Sequence, residues 1–170
     1  DVLGRKQKVH KTDGIKYFND KVVLITGAGG SIGSELSKQI NALNPKKLIL
    51  FDNNEYHLYK IIKNLESEIA VSIIGDIRDK KKLFKVVSEE IPDIVFHSAA
   101  LKHITFVEED PLEGIKTNFF GTINVMDVCR RFKVQSLVFI STDKAVNPTN
   151  FMGATKRLCE KYLQFLSHNS

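Results

Sequence analysis

The chain has 170 residues, 42% hydrophobic and 26% charged, which is globular composition and about one domain's length, enough to bury a single core. Its net charge of +5 and pI near 9.1 raise nucleic acid as a partner, but the basic residues are scattered. Lys46-Lys47, Lys80-Lys81-Lys82 and Arg130-Arg131-Lys133 sit at helix ends or connections, the pattern of solvated faces and helix C-terminal charge, so no nucleic-acid partner is expected. A positive field also suits an anionic dinucleotide.

Residues 1–20 are polar and basic with no sustained period, and read as a linker or strap. Val22-Val23-Leu24-Ile25 is a short apolar run followed at once by glycines, as a strand buried on both faces requires. Ile32, Leu36, Ile40 and Leu43 recur at helical spacing until Asn44-Pro45. Leu48 to Phe51 is the second strand, and Leu58, Ile61, Ile62, Leu65 and Ile69 mark the second helix. Val71 to Ile74 is the third strand, ended by Gly75-Asp76, with Leu83, Val86 and Val87 on the third helix. Ile94 to Phe96 is the fourth strand. After a loop, Ile115, Phe119, Ile123, Met126, Cys129 and Phe132 describe one long fourth helix. Leu137 to Ile140 is the fifth strand, and Leu158, Tyr162, Phe165 and Leu166 lie on a fifth helix. Five strand–helix units in strict alternation predict an α/β, Rossmann-type doubly wound parallel sheet over 21–170, with helices on both faces.

Thr26-Gly27-Ala28-Gly29-Gly30-Ser31-Ile32-Gly33 joins the first strand to the first helix. Gly27 permits the tight turn, Gly30 lets backbone approach a pyrophosphate, and Gly33 lets helix pack on strand. Gly29, Ser31 and Ile32 complete the candidate phosphate contacts at the helix N-terminus, where free amides and partial positive charge favour anions. Asp52 ends the second strand, 19 residues beyond Gly33, where a carboxylate can accept both adenosine ribose hydroxyls and would repel a 2′-phosphate. The cofactor is therefore NAD or NADP, with NAD favoured. Capping of the Glu55 helix is the other reading of Asp52. Asp76, with Ile77 beside it, is placed for the adenine edge or as the cap of the next helix.

Ligands of open α/β sheets bind beyond the carboxyl ends of the strands. The fourth strand delivers His97-Ser98-Ala99-Ala100 there, whose small residues let a cofactor lie against the chain, then Lys102 and His103. The fifth delivers Ser141-Thr142-Asp143-Lys144, four polar residues in a row that packing does not explain unless they form a simple polar turn. Lys156, four residues after Met152 and on the same helical face, can bond the nicotinamide ribose and lower a neighbour's pKa. Cys129 and Cys159 fall among apolar helix positions with no CxxC and no metal-ligand spacing, so they read as buried free thiols in a reducing compartment and no metal is expected.

TGAGGSIG, GDIRD, AALKH, KTNFFGT and STDKAVNPTNFMGATKR together resemble the extended short-chain dehydrogenase/reductases. More narrowly they resemble the nucleotide-sugar 4,6-dehydratases of bacterial surface-polysaccharide synthesis, the CapD-like capsular group. The resemblance covers about residues 1 to 170, and STDKAVNPTN is its most specific stretch. It implies a UDP-N-acetylglucosamine-type substrate. Hydride leaves sugar carbon 4 for the cofactor, water is eliminated across carbons 5 and 6, and hydride returns to carbon 6. On the family's pattern Thr142 bonds the 4-hydroxyl, Asp143 protonates the departing 6-hydroxyl, and Lys144 takes the carbon 5 proton. The acid then needs a raised pKa, and the base needs burial or a cationic neighbour. Asn118 matches the asparagine of a water relay towards Lys156, or is an interior residue bonding backbone.

One departure stands out: Met152 occupies the position of the usual tyrosine and cannot move the 4-hydroxyl proton. Thr142 acting through Lys156, or a water, is left to do so; Met152 is otherwise plain core. Because the chain starts at Asp1 and ends near the fifth helix, it reads as the cofactor half of something longer, expected to bind dinucleotide without turnover. Asp1-Val2-Leu3-Gly4-Arg5 resembles the segment that in long members follows membrane helices. A cytoplasmic domain anchored to the inner face of a bacterial membrane by other segments is expected, and a homo-oligomer by analogy. The other readings are a 4-epimerase or reductase, which needs no Asp143-Lys144 pair, and a non-catalytic dinucleotide module, favoured by Met152.

Overall fold

The computed structural model describes residues 17–168. Most of the strap predicted over 1–20 lies outside them; the described part, Tyr17 to Asp20, is attached to the domain, with the Phe18 ring stacked on Phe96 at 6.4 Å. Five parallel strands lie in the order β3-β2-β1-β4-β5: β1 Val22–Thr26, β2 Lys47–Asp52, β3 Ala70–Ile74, β4 Ile94–His97 and β5 Ser136–Phe139. Helices α1 (Ser31–Ala42), α2 (Glu55–Leu65) and α3 (Lys80–Glu90) follow the first three strands in turn. This is the predicted α/β doubly wound arrangement. No helix among the described residues is long and apolar enough to cross a membrane.

Alternate residues of the central strands feed two separate cores. Leu24, Ile49, Phe51 and Val95 pack with Leu83, Val86 and Val125 on one face. Val23, Ile25, Leu48 and Leu50 pack with Ile40, Leu58 and Ile61 on the other. Each fully buried leucine or isoleucine contributes about 1.5–3 kcal/mol over an exposed one, which is why the central strands carry polar residues only at their ends, Lys47 at the start of β2 and Thr26, Asp52 and His97 at the carboxyl edge. The edge strands depart from the two-sided burial expected of parallel strands, because one flank has no neighbour: Val71 and Ile74 of β3 and Val138 of β5 are exposed.

Several local expectations are corrected. The predicted loop after β4 contains two short helices, α4 (Ile104–Glu109) and α5 (Pro111–Gly114). The predicted single fourth helix is instead a π-helical segment, Ile115–Gly121, running into α6, Thr122–Arg131. The wider turn rotates the apolar stripe, and such segments occur often at functional sites. Ile69 leaves the second helix, because Glu66 adopts the left-handed conformation and ends it. The fifth strand starts and ends one residue earlier than its apolar run. Asp52 does not cap α2; the Asn54 side chain does, accepting from the amide of His57. Asp76 does not cap α3; Asp79 does, accepting from the amide of Lys82. Lys80 to Lys82 open α3 rather than close a helix, and Lys80 is paired with Asp127 of α6. A three-residue 3-10 turn, Asp143–Ala145, and the long α7, Phe151–His168, complete the chain.

Candidate active site

The site starts with the turn between β1 and α1. Gly27 has φ +68°, and a Cβ there would lie 2.6 Å from the backbone of Ala99, so only glycine fits. A Cβ on Gly33 would run into the carbonyl oxygen of Gly27, so the helix can pack this close only without one. Gly30 is the N-cap of α1 and supplies no side-chain cap, which leaves the opening amides of the helix available to an anion. Gly29 packs against His57 of α2. Its amide donates to the Asp52 carboxylate at 2.9 Å, and the other Asp52 oxygen accepts from the amide of Asn54 at 2.9 Å.

Two adjoining clefts run along the carboxyl edge of the sheet and meet over this turn, sharing Gly27, Gly30, Ser98, Ala100 and Leu101. The first, about 250 Å³, is bordered by Asp52, Asn53, His57, Asp76, Ile77 and Ala99. Asp76 is held by Arg78, whose Nη2 and Nε donate to one carboxylate oxygen at 2.6 and 2.9 Å, while Arg78 also reaches Glu113. Partial burial works against the Asp76 charge, but these Arg78 bonds outweigh it and hold the pKa below the ordinary value.

The second cleft, about 410 Å³, is bordered by Ser31, Ile32, Gly33, Lys102, Ser141, Thr142, Lys144, Met152 and Lys156. Lys156 is only 5% exposed. Its Nζ donates to the Ile140 carbonyl at 3.0 Å and stands 4.5 Å over the Phe139 ring. Burial lowers its pKa to about 8 against the pull of Cys159 and Glu160. Met152 is buried at the same cleft. Thr142 donates to Asp143 at 2.9 Å, and Lys144 Nζ donates to the same Asp143 oxygen at 3.2 Å.

Three expectations change here. Asp143 was expected as a carboxyl group kept protonated; instead the Thr142 hydroxyl, then the Lys144 ammonium, lower its pKa, and its side chain is 86% exposed and outside the cleft lining. Lys144 has neither of the surroundings expected of a base: its partner is an anion and its side chain is part-exposed. Asn118 does not face the cleft. It is fully buried; its Oδ1 accepts from the Leu101 amide at 2.8 Å, and its Nδ2 donates to the Leu101 carbonyl at 2.9 Å and to Thr155 at 3.2 Å. That carboxamide pins the loop after β4 to the π-helical segment and α7, which corresponds to the interior reading rather than the relay. Both cysteines are buried and free, and burial raises both thiols, Cys129 to about 12.

His97, delivered at the carboxyl end of the fourth strand, has no role assigned from the sequence. It is wholly buried, with Nδ1 2.6 Å from the Thr26 hydroxyl and Nε2 2.9 Å from that of Thr122. Burial, with help from nearby Lys156, lowers its pKa to about 3. It ties the last residue of β1, just before the glycine turn, to the first residue of α6. A polar residue ending an apolar strand was the available signal. His57 on the first turn of α2, and Asn53 and Leu101 after strand ends, also border the clefts, and only their nearness to the carboxyl edge could have marked them.

Residues 23–170 match the family described as "Polysaccharide biosynthesis protein". The chain is 41% identical over 160 residues to the capsular polysaccharide biosynthesis protein CapD of Staphylococcus aureus, covering 91% of this chain and 27% of that one. It is 39% identical over 145 residues to a UDP-N-acetylglucosamine 4,6-dehydratase (inverting) of Campylobacter jejuni, covering 85% and 43%. Among solved structures, Pen from Bacillus thuringiensis superposes with a TM-score of 0.81 at 38% identity, covering 85% of this chain and 44% of that one. UDP-glucose 4-epimerase from Brucella ovis in complex with NAD superposes at 0.74 and 25% identity, covering 85% and 47%. The chain spans less than half the length of each of these proteins.

Proposed function

The chain belongs to the polysaccharide biosynthesis protein family, and from that premise we propose that it is the NAD-binding half of a nucleotide-sugar 4,6-dehydratase of UDP-N-acetylglucosamine type. The observation that carries this reading is the continuous double cleft, with the glycine turn at its middle, Asp52 at one end and Thr142, Lys144 and Lys156 at the other. A dinucleotide has the same three-part order of adenosine, diphosphate and nicotinamide ribose. The NAD complex of the Brucella ovis epimerase and the Campylobacter jejuni dehydratase's UDP-sugar chemistry support it.

The residues present fit the cofactor. The uncapped amides of α1 and the side-chain-free approach at Gly30 would receive the diphosphate, with Ser31 and Ile32 beside it. Asp52 keeps lone pairs beyond its two amide bonds for ribose hydroxyls, and its charge disfavours a 2′-phosphate. Asp76 and Ile77 would border the adenine, and Ala99, Ala100 and Ser141 the remainder. The bound dinucleotide supplies the hydride acceptor at sugar carbon 4.

The chain's own residues handle the protons. Met152 has no proton to give, so Thr142 is assigned the substrate 4-hydroxyl, with Lys156 receiving that proton. A Lys156 pKa of about 8 leaves part of it neutral near neutral pH, and this makes it able to accept. Asp143 is assigned the 6-hydroxyl and Lys144 the carbon 5 proton. For these roles the proton of their ion pair must pass from the Lys144 ammonium to the Asp143 carboxylate, leaving a neutral amine and a carboxylic acid, and exclusion of water on sugar binding would favour that transfer by raising the Asp143 pKa. We place this chemistry on the cytoplasmic side of a bacterial membrane, with attachment through segments beyond residues 1–170, and with self-association through this domain.

Calorimetric titration of the chain with NAD and with NADP tests the cofactor; NAD should bind more tightly, and no binding of either removes the reading. For the full-length protein, conversion of UDP-N-acetylglucosamine to a 4-keto-6-deoxy product tests the reaction. A second reading, a nucleotide-sugar 4-epimerase, is favoured by the exposed and ionised state of Asp143, since epimerisation at carbon 4 needs no acid at carbon 6. Recovery of an epimer with its 6-hydroxyl intact would select it.

A further inference from the structure

The last ladder bond of the fifth strand runs from the Ile140 amide to the His97 carbonyl, at 3.0 Å. Beyond it the sheet offers no partner, yet Thr142 to Lys144 follow within four residues. Two side chains one turn apart on α7 take over at this point. Lys156 donates to the carbonyl of Ile140, and the Ser141 hydroxyl donates to Glu160 Oε1 at 2.6 Å. The second Glu160 oxygen accepts from Arg157 at 2.9 Å, so the carboxylate is held on both sides. Positions i and i+4 of a helix share one face, and here that face grips two consecutive backbone residues.

We infer that Glu160 is a positioning residue, holding Ser141 so that Thr142 and Lys144 stand at the cleft, and acting as counter-charge to Lys156. This deepens the dehydratase reading and rests on it for its purpose, though not for its geometry. The Ser141 hydroxyl, expected to face the cofactor, is spent on this bond. The bond is also the chief cause of a lowered Glu160 pKa. Other titratable groups around Lys156 are Cys159 and Arg157 on the same helix, His97 from β4, and Lys144, Lys102 and His103 on the same cleft.

Three variants of the chain separate the two roles. Glu160→Gln keeps an acceptor for Ser141 and removes the charge. Ser141→Ala removes the bond and keeps the charge. Glu160→Ala removes both. The readouts are amide hydrogen exchange at Thr142 to Lys144 and the titration of Lys156 followed by NMR of lysines labelled at Cε, both without ligand. Exchange in the turn should speed up about tenfold in Ser141→Ala and Glu160→Ala but not in Glu160→Gln. The Lys156 midpoint should fall in Glu160→Gln and Glu160→Ala but not in Ser141→Ala. Turn exchange unchanged in Glu160→Ala, or a Lys156 midpoint indifferent to the charge, overturns the proposal. NAD binding is then measured on each variant, with about tenfold weakening expected for Glu160→Ala. If the wild-type chain binds no NAD, the functional reading fails while the ligand-free readouts still decide the role of Glu160.

Discussion

The Gly29 amide donates to the Asp52 carboxylate at 2.9 Å, so the residue proposed to read a cofactor's ribose also holds the turn proposed to receive its diphosphate. One carboxylate thus serves β2, the glycine turn and, through the Asn54 amide, the approach to α2. An amide in its place can accept on one side only and must set its NH₂ against a backbone N–H on the other. Asp52→Asn is therefore expected to cost about 2 kcal/mol of stability as well as dinucleotide affinity. Denaturant melts with and without NAD would check this; a variant of unchanged stability would show the two amide bonds to be incidental.

Gly30 and Gly33 make opposite demands. A Cβ on Gly30 meets nothing nearer than the Gly27 carbonyl oxygen at 3.3 Å, but projects where the diphosphate would lie. Gly30→Ala should change stability by less than about 1 kcal/mol and weaken NAD binding at least about tenfold. A Cβ on Gly33 strikes backbone, so Gly33→Ala should cost about 3 kcal/mol and broaden or abolish the cooperative melt. Paired thermal melts and calorimetry distinguish the two.

Lys156 makes the domain less stable at neutral pH than an apolar residue would. Burial lowers its pKa from 10.5 to about 8, so between those values the unfolded chain binds more protons than the folded one. Stability from this group is therefore full above about pH 10.5 and lost as pH falls through about 8. Lys156→Met should stabilise the chain by about 1–2 kcal/mol at pH 7, after the lost Ile140 bond is offset, with the gain shrinking towards pH 10. Melting temperatures of both proteins across that range are the measurement; a constant difference would contradict the linkage.

His97 governs the acid side by the same rule. Its pKa falls from 6.5 to about 3, so its contribution is complete above pH 6.5 and lost as pH falls through 3. His97→Gln, which can keep one threonine bond, should flatten the stability profile between these values. An unchanged acid limb would place the cause of acid unfolding elsewhere.

Ile91 ends α3 in the left-handed conformation at φ 46° with its side chain 69% exposed. A β-branched residue pays for that conformation with little packing in return. Ile91→Gly should raise stability by about 0.5–1 kcal/mol after the added freedom of the unfolded chain is subtracted. A chemical melt reads this directly.

Apolar runs, their alternation with helical spacing, and three glycines placed between a strand and a helix were enough to define the sheet, the direction of its strands and the edge at which the clefts open. Those features are local and repeat with the period of the backbone, so the order of residues carries them. The partners of individual polar side chains are set by packing across the fold. Asn118 meets Leu101 and Thr155 because a π-helical segment turns it inward, and Ser141 meets Glu160 because α7 crosses the end of β5. Asp143 is ionised because Thr142 and Lys144 both turn towards it, which residue type alone does not specify. A hydrogen bond or a pKa depends on distances of a few ångströms between segments far apart in the chain, and only the tertiary structure decides those distances.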